Sequence, residues 1–272
     1  MFFHEICYCY KDTTNLKIKP DSEKYFSGFK TNNQYRKFIK HDFRVVEMNS
    51  LTASETQIRK FIEMLRAELL ASLPGVEAHL RLAPEMRIKD LKTNTIPIHA
   101  LESAVLILLY PVQSRLHTVV ILRNEYDGAH SGQICLPGGK VEPEDIDFKH
   151  TALREAKEEI GILPENVEII GQLSLFYVMP SNFIIYPFIA YTPKRPEFHP
   201  DPTEVNRIIE IDVFDELIYD NIINRSLNFK NSLQVHAPGF LVSGEFLWGA
   251  TAMIFSEFIH IIQLVADKLN EV

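Results

Sequence analysis

The segment from Gly138 to Ile162 constrains the fold of this chain more than any other part of the sequence. Its REAKEE string, residues 154–159, spaces three glutamates at positions i, i+3 and i+4 of a predicted helix, so that their carboxylates share one face. Gly161 is a typical helix stop, and acids in the last turn oppose the helix dipole. Because like charges also repel at this spacing, the sequence predicts a cation beside this helix end.

An apolar stripe relates the acidic face to the protein core. It consists of Phe148, Ala152, Leu153, Ala156 and Ile160, which recur at helical spacing. At about 100° per residue, the glutamates are centred about a quarter turn from this stripe. We therefore expect the acids at the rim of the packed face, where a helix lines a cleft. A solvated acidic helix face is the alternative when REAKEE is considered alone.

Hard carboxylate oxygens are the ligands that Mg²⁺ and Mn²⁺ prefer, and these ions usually bind substrate phosphates as well. A divalent cation of this kind is therefore the expected partner of the acidic helix. Directly upstream, Pro137-Gly138-Gly139 predicts a tight turn whose backbone comes close to a ligand.

The same segment resembles the signature motif of the Nudix hydrolases, G-x5-E-x7-R-E-U-x-E-E-x-G-U, in which U is aliphatic. Gly139 matches the leading glycine, and the run from Arg154 to Ile162 matches the second half without a gap. The chain departs from the motif in two ways. Asp145 stands where the family usually has Glu, and eight residues instead of seven separate it from Arg154.

The longer motif and the preceding GQICLPGG, residues 132–139, resemble the coenzyme A diphosphatase branch of this family. That branch carries G-x3-F-P-G-G, so Leu136 replaces a phenylalanine. It also tends to have an R-S-x3-R run, of which this chain keeps Arg123 but has Asn124 and Gly128 at the next two positions. The resemblance implies hydrolysis of coenzyme A or acyl-coenzyme A to 3′,5′-ADP and a phosphopantetheine or its acyl form.

Two alternatives to this function remain open. The first alternative is a different substrate within the same family, namely ADP-ribose, NADH or another nucleotide diphosphate. The second alternative is a non-catalytic function, in which a Nudix domain binds a nucleotide as the sensor of a regulator. Such domains normally have lost some of the motif glutamates and carry an attached DNA-binding module. All three glutamates are present here and no basic recognition helix is evident, which favours an enzyme.

Hydrolysis of a diphosphate requires that its negative charge be neutralised and that a water be positioned and deprotonated, which metal ions held by carboxylates achieve. We expect Glu155 and Glu159 to be direct metal ligands, because an i, i+4 pair reaches in one direction. Glu158 is either a third ligand or the general base. We expect Arg154 to orient a ligand glutamate or to pair with Asp145; direct contact with substrate is the alternative.

Further residues are candidates for catalysis or substrate contact. The family often brings an additional carboxylate from a later loop, and Glu204 is the candidate here, the alternative being an exposed loop acid. His130, Arg123 and Lys140 flank the glycines and are candidates for phosphate contact; the alternatives are a loop histidine without a role and ordinary surface cations. The Gly138-Gly139 backbone is expected to contact substrate.

Composition bounds the partners and the setting. A net charge of −8 over 272 residues argues against general nucleic-acid affinity and leaves a small nucleotide as the expected partner. Three cysteines do not make a disulfide framework and no signal peptide opens the chain, so a cytoplasmic setting is expected. Polar residues interrupt the apolar C-terminal run, which predicts a packed helix and no membrane span.

The chain divides into three predicted parts. Residues 99–272 form the Nudix domain with a C-terminal helix, and residues 48–98 form an N-terminal helical segment that opens at the capping box Ser54–Gln57. Residues 1–47 carry nine Lys or Arg against six Asp or Glu and match the rest poorly. They are either an accessory segment or an extension before a true start at Met48. We favour the second, because nothing before Met48 resembles the family.

The order of elements predicts an α/β or α+β fold. Short apolar runs predict strands at residues 104–110, 119–122, 167–173, 183–191 and 207–213, and a final helix spans about residues 251–269. Pro187 implies that its strand is an edge or carries a bulge. The resemblance implies the Nudix α/β/α sandwich, with a mixed sheet between helices.

Overall fold

The computed structural model of the chain describes residues 55–93, 96–124, 132–228 and 234–270. Its helices are α1 (Glu55–Leu69), α2 (Val76–His79), α3 (Ile88–Thr93), α4 (Phe148–Ile160) and α5 (Gly249–Asn270). Eight strands form the main sheet: β1 (Leu101–Val112), β2 (Arg115–Arg123), β3 (Ile134–Cys135), β4 (Gly138–Lys140), β5 (Glu168–Gln172), β6 (Phe176–Val178), β7 (Phe183–Tyr191) and β8 (Val205–Asp212). A second sheet consists of β9 (Ile223–Asn228), β10 (Gln234–Val242) and β11 (Glu245–Trp248).

Strand β1 lies at the centre of the main sheet. On one side β7 runs parallel to it, and on the other side β4 and the end of β2 pair with it antiparallel. Strands β8 and β3 extend the sheet beyond β2, while β5 and β6 pair with β7. One parallel pair among antiparallel pairs makes this a mixed sheet, as predicted.

Alternate residues of β1 face two different helical layers, because successive side chains of a strand point to opposite faces. The even-numbered residues from Ala104 to Tyr110 pack in one cluster with the buried face of α4. The odd-numbered residues from Val105 to Leu109 pack in another cluster with α1 and α5. The predicted α/β/α sandwich with a mixed sheet between helices is confirmed.

Helix α1 belongs to the same core as the sheet and α5. Its buried face consists of the five apolar residues that show helical spacing in the sequence, Ile58, Phe61, Ile62, Leu65 and Leu69. The predicted N-cap Ser54 lies outside the described residues. The described part of the 48–98 segment therefore shares one apolar cluster with the region that follows it.

Helix α5 is the one described helix that is long and apolar enough to cross a membrane, judged by length and composition alone. Most of its apolar stretch is buried in protein, and Phe255 and Phe258 are fully buried in the cluster with α1. Core helices of globular proteins have the same properties. The burial agrees with the prediction of a packed helix.

Strand β7 is an interior strand, so of the two alternatives predicted for Pro187 the sheet edge is wrong, whereas a register irregularity does occur in the pairing of β7 with β5, between Ile169 and Gly171. Pro187 instead lies where the neighbour of β7 changes, because pairing with β5 ends at Gln172–Phe188 and pairing with β6 begins at Phe176–Ile185. The missing N–H of Pro187 therefore falls where the ladder with β5 ends, while its carbonyl oxygen still accepts a hydrogen bond from the N–H of Leu173 at 2.9 Å.

The second sheet is absent from the sequence-based prediction. Its inner face contributes Phe240, Val242 and Leu247 to the main core. Its other face carries a small cluster of Leu227, Val235 and Ala237, against which Phe246 and Trp248 pack. Both aromatic residues, directly before the last helix, therefore have packing roles.

Candidate active site

Helix α4 has well-defined ends that fix its position on the sheet. The N-cap residue Asp147 accepts a hydrogen bond from the backbone N–H of His150 at 2.7 Å. Gly161 ends the helix with φ 74°, and the amides of Gly161 and Ile162 donate to carbonyls of the last turn. The predicted apolar stripe faces the sheet, and the predicted stop at Gly161 is confirmed.

The three glutamates of α4 differ sharply in exposure. The side chains of Glu155 and Glu159 are 0% and 1% exposed, whereas that of Glu158 is 52% exposed. The prediction that all three line the rim of the packed face is therefore wrong for two of them. Burial raises the pKa of both Glu155 and Glu159 to about 8. The positive charge of Arg154 opposes this shift at Glu155, and that of Arg123 opposes it at Glu159.

Two glycines of β4 allow the helix to approach the sheet closely. A Cβ on Gly139 would lie 2.1 Å from Oε1 of Glu155. The N–H of Gly138 donates to Oε2 of Glu159 at 2.8 Å, and a Cβ on Gly138 would lie 2.4 Å from the carbonyl oxygen of Ala104. The small size of both residues therefore makes room for carboxylates and for β1.

The predicted tight turn at Gly138-Gly139 is wrong. Both glycines are buried and belong to a strand that pairs with β1, with Ala104 opposite Gly139 and Val105 opposite Gly138. This pairing engages backbone groups that the sequence interpretation assigned to a ligand. The close approach of this backbone is to Glu155, Glu159 and β1.

Arg154 connects α4 to the loop before it. Its Nε and Nη2 donate to different oxygens of Asp145, each at 3.0 Å. Its Nη1 donates to Glu155 at 2.9 Å and to Glu158 at 3.1 Å, and Nη2 also donates to the carbonyl of Lys140 at 3.1 Å. Arg154 therefore pairs with Asp145 and contacts Glu155 and Glu158 with the same side chain.

Asp145 is the centre of a polar network, although the sequence identified it only as a departure from a motif. Its buried carboxylate accepts hydrogen bonds from Thr151 Oγ1 at 2.8 Å and from the N–H of Glu142 at 2.9 Å, and lies 2.8 Å from Nδ1 of His150. Burial alone would raise its pKa, but Arg154 and the other donors hold that pKa well below its usual range. The longer spacing to Arg154 thus preserves the pair.

The loop before β8 brings Glu204 to the end of α4. The N–H of Asp201 donates to the carbonyl of Glu159 at 3.0 Å, and a neighbouring amide donates to the carbonyl of Ile160. These bonds satisfy carbonyls that a helix end leaves without partners. The carboxylate of Glu204 then lies 3.9 Å from Nη2 of Arg123. Burial raises the pKa of Glu204, and the guanidinium of Arg123 opposes that shift.

Arg123 faces the carboxylates of the site. Its Nη1 lies 3.4 Å from Oε1 of Glu159, and its side chain is only 11% exposed. The structure therefore brings together Arg123, Glu159 and Glu204, which come from β2, α4 and a loop. The surface-cation alternative does not describe this residue.

Lys140 and His130 complete the set of sequence candidates. Lys140 ends β4, and its carbonyl oxygen accepts a hydrogen bond from Arg154, so its position adjoins the carboxylates. His130 lies between residues 124 and 132, outside the described residues, and its contact with phosphate stays a prediction.

The carboxylates suit a divalent cation chemically but are not assembled around one. Within the described residues, no three His, Cys, Asp or Glu side chains converge as a metal site. Arg154 and Arg123 occupy several of the carboxylate oxygens instead. Oε2 of Glu155 is buried without a hydrogen-bond partner. A buried hard oxygen of this kind is a fitting donor for a divalent ion.

Comparison with known proteins identifies the family. Residues 100–223 match the NUDIX domain. The chain is 31% identical over 156 residues, 54% of this chain and 75% of the relative, to the "Uncharacterized Nudix hydrolase NudL" of Yersinia enterocolitica serotype O:8. It is 30% identical over 168 residues, 58% of this chain and 78% of the relative, to the protein of the same name in Yersinia pestis. A Caenorhabditis elegans Ap4A hydrolase binary complex has a TM-score of 0.40 and 12% identity, covering 63% of this chain and 99% of that chain.

The family match, together with the α/β/α sandwich and its carboxylate-bearing helix, indicates a hydrolase of diphosphate anhydrides. The chain belongs to the Nudix hydrolase family. Members of this family generally use divalent metal ions and act on small nucleotide substrates.

Proposed function

We propose that this chain hydrolyses the diphosphate linkage of coenzyme A or acyl-coenzyme A, with Mg²⁺ or Mn²⁺, to 3′,5′-ADP and phosphopantetheine or its acyl form. The observation that carries the hydrolase chemistry is the convergence of Glu155, Glu158 and Asp145 on one guanidinium, that of Arg154. The coenzyme A assignment is supported by the GQICLPGG run and by the lengthened motif.

Glu155 and Glu159 are the proposed metal ligands. Both carboxylates are buried on successive turns of α4, and one oxygen of Glu155 has no hydrogen-bond partner. A divalent ion held there would offset the negative charge of the diphosphate and favour attack by water. Glu204, which Arg123 holds near Glu159, is the proposed additional carboxylate.

Glu158 is the proposed general base. It is the one glutamate of the three whose carboxylate is substantially exposed, so it can accept a proton from a water that enters from solvent. Arg154 holds it at 3.1 Å and thereby orients it. The alternative role for the Glu158 carboxylate is that of a third metal ligand.

Lys140 is the proposed phosphate-binding cation. Arg123 faces Glu159 and Glu204, which leaves Lys140, on the strand beside Glu155, as the better placed of the two candidates. Coenzyme A carries a 3′-phosphate that most nucleotide diphosphates lack, and a lysine recognises such a group as a point charge. His130 is a further proposed contact.

A substrate panel tests the proposal. The purified chain is assayed with Mg²⁺ or Mn²⁺ against coenzyme A, acetyl-coenzyme A, 3′-dephospho-coenzyme A, ADP-ribose, NADH and nucleoside triphosphates, and the products are identified by mass spectrometry. Coenzyme A should exceed its 3′-dephospho form in kcat/KM by at least about tenfold, because a charge-assisted contact contributes about 1.5–3 kcal/mol. ADP-ribose as the clearly better substrate would overturn the coenzyme A assignment.

Two lysine variants sharpen this test. Lys140→Met should reduce the ratio between coenzyme A and 3′-dephospho-coenzyme A, because it removes the proposed cation. Lys149→Met makes the same chemical change at an exposed position on α4 and should leave the ratio as it is. An unchanged ratio in Lys140→Met would remove this lysine from the recognition of the 3′-phosphate.

A further inference from the structure

The two arginines of the site are held in different ways. Arg154 makes short contacts of 2.9–3.1 Å with Asp145, Glu155, Glu158 and the carbonyl of Lys140. Arg123 lies 3.4 Å from Glu159 and 3.9 Å from Glu204. Charge-assisted contacts between guanidinium and carboxylate are usually about 2.7–2.9 Å. The contacts of Arg123 with Glu159 and Glu204 are therefore longer than those of Arg154 with its carboxylates.

The backbone of Arg123 is fixed even though these side-chain contacts are long. Its N–H donates to the carbonyl of Gln133 at 3.0 Å. The ladder between β2 and β8 shifts register between Leu122 and Arg123, so that Arg123 pairs with Val205. An irregularity of this kind re-aims a side chain, and here it accompanies a guanidinium that faces the end of α4. The position of the Arg123 backbone therefore does not depend on its contacts with the two carboxylates.

When no metal is bound, the ionised form of Glu159 needs a cation in this position. Its carboxylate is 1% exposed and accepts a hydrogen bond from the N–H of Gly138 at 2.8 Å. A buried carboxylate is costly unless a positive charge lies near it. Arg154 is engaged by Asp145, Glu155 and Glu158, so Arg123 is the arginine that faces Glu159 and Glu204 together.

We propose that Arg123 is a built-in counter-ion that neutralises Glu159 and Glu204 in the metal-free enzyme and is displaced from them when a divalent ion binds. This inference rests on the proposed function, which assigns the ion to Glu155 and Glu159. Arg123 is then a positioning residue that keeps two carboxylates from separate elements together. It also competes with the ion and lowers its apparent affinity.

Metal titration tests the competition directly. Mn²⁺ is titrated by calorimetry into the metal-free full-length protein and into Arg123→Gln. The variant should bind Mn²⁺ about fivefold more tightly, which corresponds to the loss of one weak ion-pair competitor. Its melting temperature should fall without metal and return towards that of the parent when Mn²⁺ saturates the site. A residue with a purely structural role would not tighten metal binding.

Arg207→Gln is the matched control. Arg207 contacts Glu245 at 2.7 Å on the exposed surface, so its replacement removes the same charge from β8 without touching the site. Its Mn²⁺ affinity should stay within about twofold of the parent. Arg123→Lys serves if the glutamine variant fails to fold. A lysine has one compact charge in place of the two-armed guanidinium, so this variant should also bind Mn²⁺ more tightly than the parent, by less than Arg123→Gln.

The outcomes separate this inference from the proposed function. Unchanged or weaker Mn²⁺ affinity in the Arg123 variants, while the parent binds the ion and hydrolyses its substrate, overturns the counter-ion role alone. Equal tightening in Arg207→Gln also overturns it, because the effect would then be one of overall charge. A parent protein that binds no Mn²⁺ at millimolar concentration overturns both the assignment of the ion and the inference.

Discussion

The guanidinium of Arg154 and the carboxylate of Asp145 form a two-point contact, in which Nε and Nη2 each lie 3.0 Å from a different oxygen. Asp145 belongs to the loop before α4, whereas the other end of the guanidinium contacts Glu155 and Glu158. Such a paired contact fixes orientation as well as distance. The loop therefore determines where two glutamates of the site stand.

Replacing Asp145 should loosen this arrangement. Asp145→Asn removes a buried charge and one acceptor, so we expect the free energy of unfolding to fall by about 1–3 kcal/mol. We also expect kcat to fall by at least about tenfold, because Arg154 no longer orients Glu155 and Glu158. Urea denaturation and steady-state kinetics measure the two effects. Asp147→Asn is the control, because asparagine is an equally good N-cap and should change stability by less than about 0.5 kcal/mol.

Metal dependence and the glutamates are tested together. Glu158→Gln and Glu159→Gln each keep the side-chain shape but remove a charge, so each should lower kcat by at least about a hundredfold while the protein stays folded. Turnover should stop in EDTA and recover with Mg²⁺ or Mn²⁺. Glu165→Gln, at an exposed site beyond α4, should keep full activity. Full turnover by chelated protein would show that no metal takes part.

Gly139 offers a test of the close approach between β4 and α4. The alanine Cβ in Gly139→Ala would lie 2.1 Å from Oε1 of Glu155, so the carboxylate must move. We expect a loss of activity of at least about tenfold, with circular dichroism unchanged. Gly249→Ala is the contrast, because it meets no atom within 4 Å although its φ is +68°. That variant should lose about 1 kcal/mol of stability and keep its activity.

Glu257 is a buried carboxylate on the opposite side of the sheet, and its role is stability. It lies 3.0 Å from Nε2 of His79 and accepts hydrogen bonds from Ser174 Oγ at 2.6 Å and from the N–H of Gly75 at 3.0 Å. Glu257→Gln disrupts this network and should lower the free energy of unfolding by about 3 kcal/mol. Asp267→Asn, at an exposed position of the same helix, should have little effect in the same denaturation assay.

The same carboxylate gives the protein a predictable acid sensitivity. Burial alone would raise its pKa, but the donors, led by His79, hold the pKa of Glu257 below its ordinary value of 4.5. Its contribution to stability is therefore fully present above about pH 4.5 and is lost as the pH falls through the lowered native pKa. In Glu257→Gln, the free energy of unfolding should not show this loss as the pH falls. A parent and variant with parallel stability profiles below pH 5 would contradict this assignment.

Two truncations test the proposed division of the chain. Deleting residues 1–47 should leave the melting temperature and hydrolysis nearly unchanged, because the predicted capping box begins only at Ser54. Deleting residues 1–98 should abolish a cooperative transition. It removes the five buried side chains of α1, each of which contributes about 1.5–3 kcal/mol when fully buried. Precipitation of the protein that lacks residues 1–47 would show that these residues belong to the core.

The long elements were predictable because their patterns are local. The apolar run at residues 183–191 is the strand β7 with those bounds, and the five-residue stripe of α1 is its buried face. The second sheet was not predictable in this way. Strand β10 contains Pro238 and Gly239, and β9 contains two asparagines, so neither has a strand pattern of its own. Both depend on packing against the rest of the protein.

The site was predictable in its residues and less so in its arrangement. Helical periodicity identified Glu155, Glu158 and Glu159, but it gives only the angle around the helix and not the distance to the strand beneath. That distance depends on the glycines of β4, which bury two of the three carboxylates. The approach of Glu204 depends on backbone hydrogen bonds to the end of α4, which no local pattern encodes.

The contact between Gly139 and Glu155 also limits how this protein can evolve. The space that a side chain at position 139 would need is filled by a carboxylate, so a larger residue there displaces this carboxylate unless position 155 changes as well. A descendant that had abandoned hydrolysis would be free to make both changes. In a relative with this packing, we therefore expect a side chain at the position of Gly139 to occur together with a smaller residue at the position of Glu155 or with reduced hydrolysis.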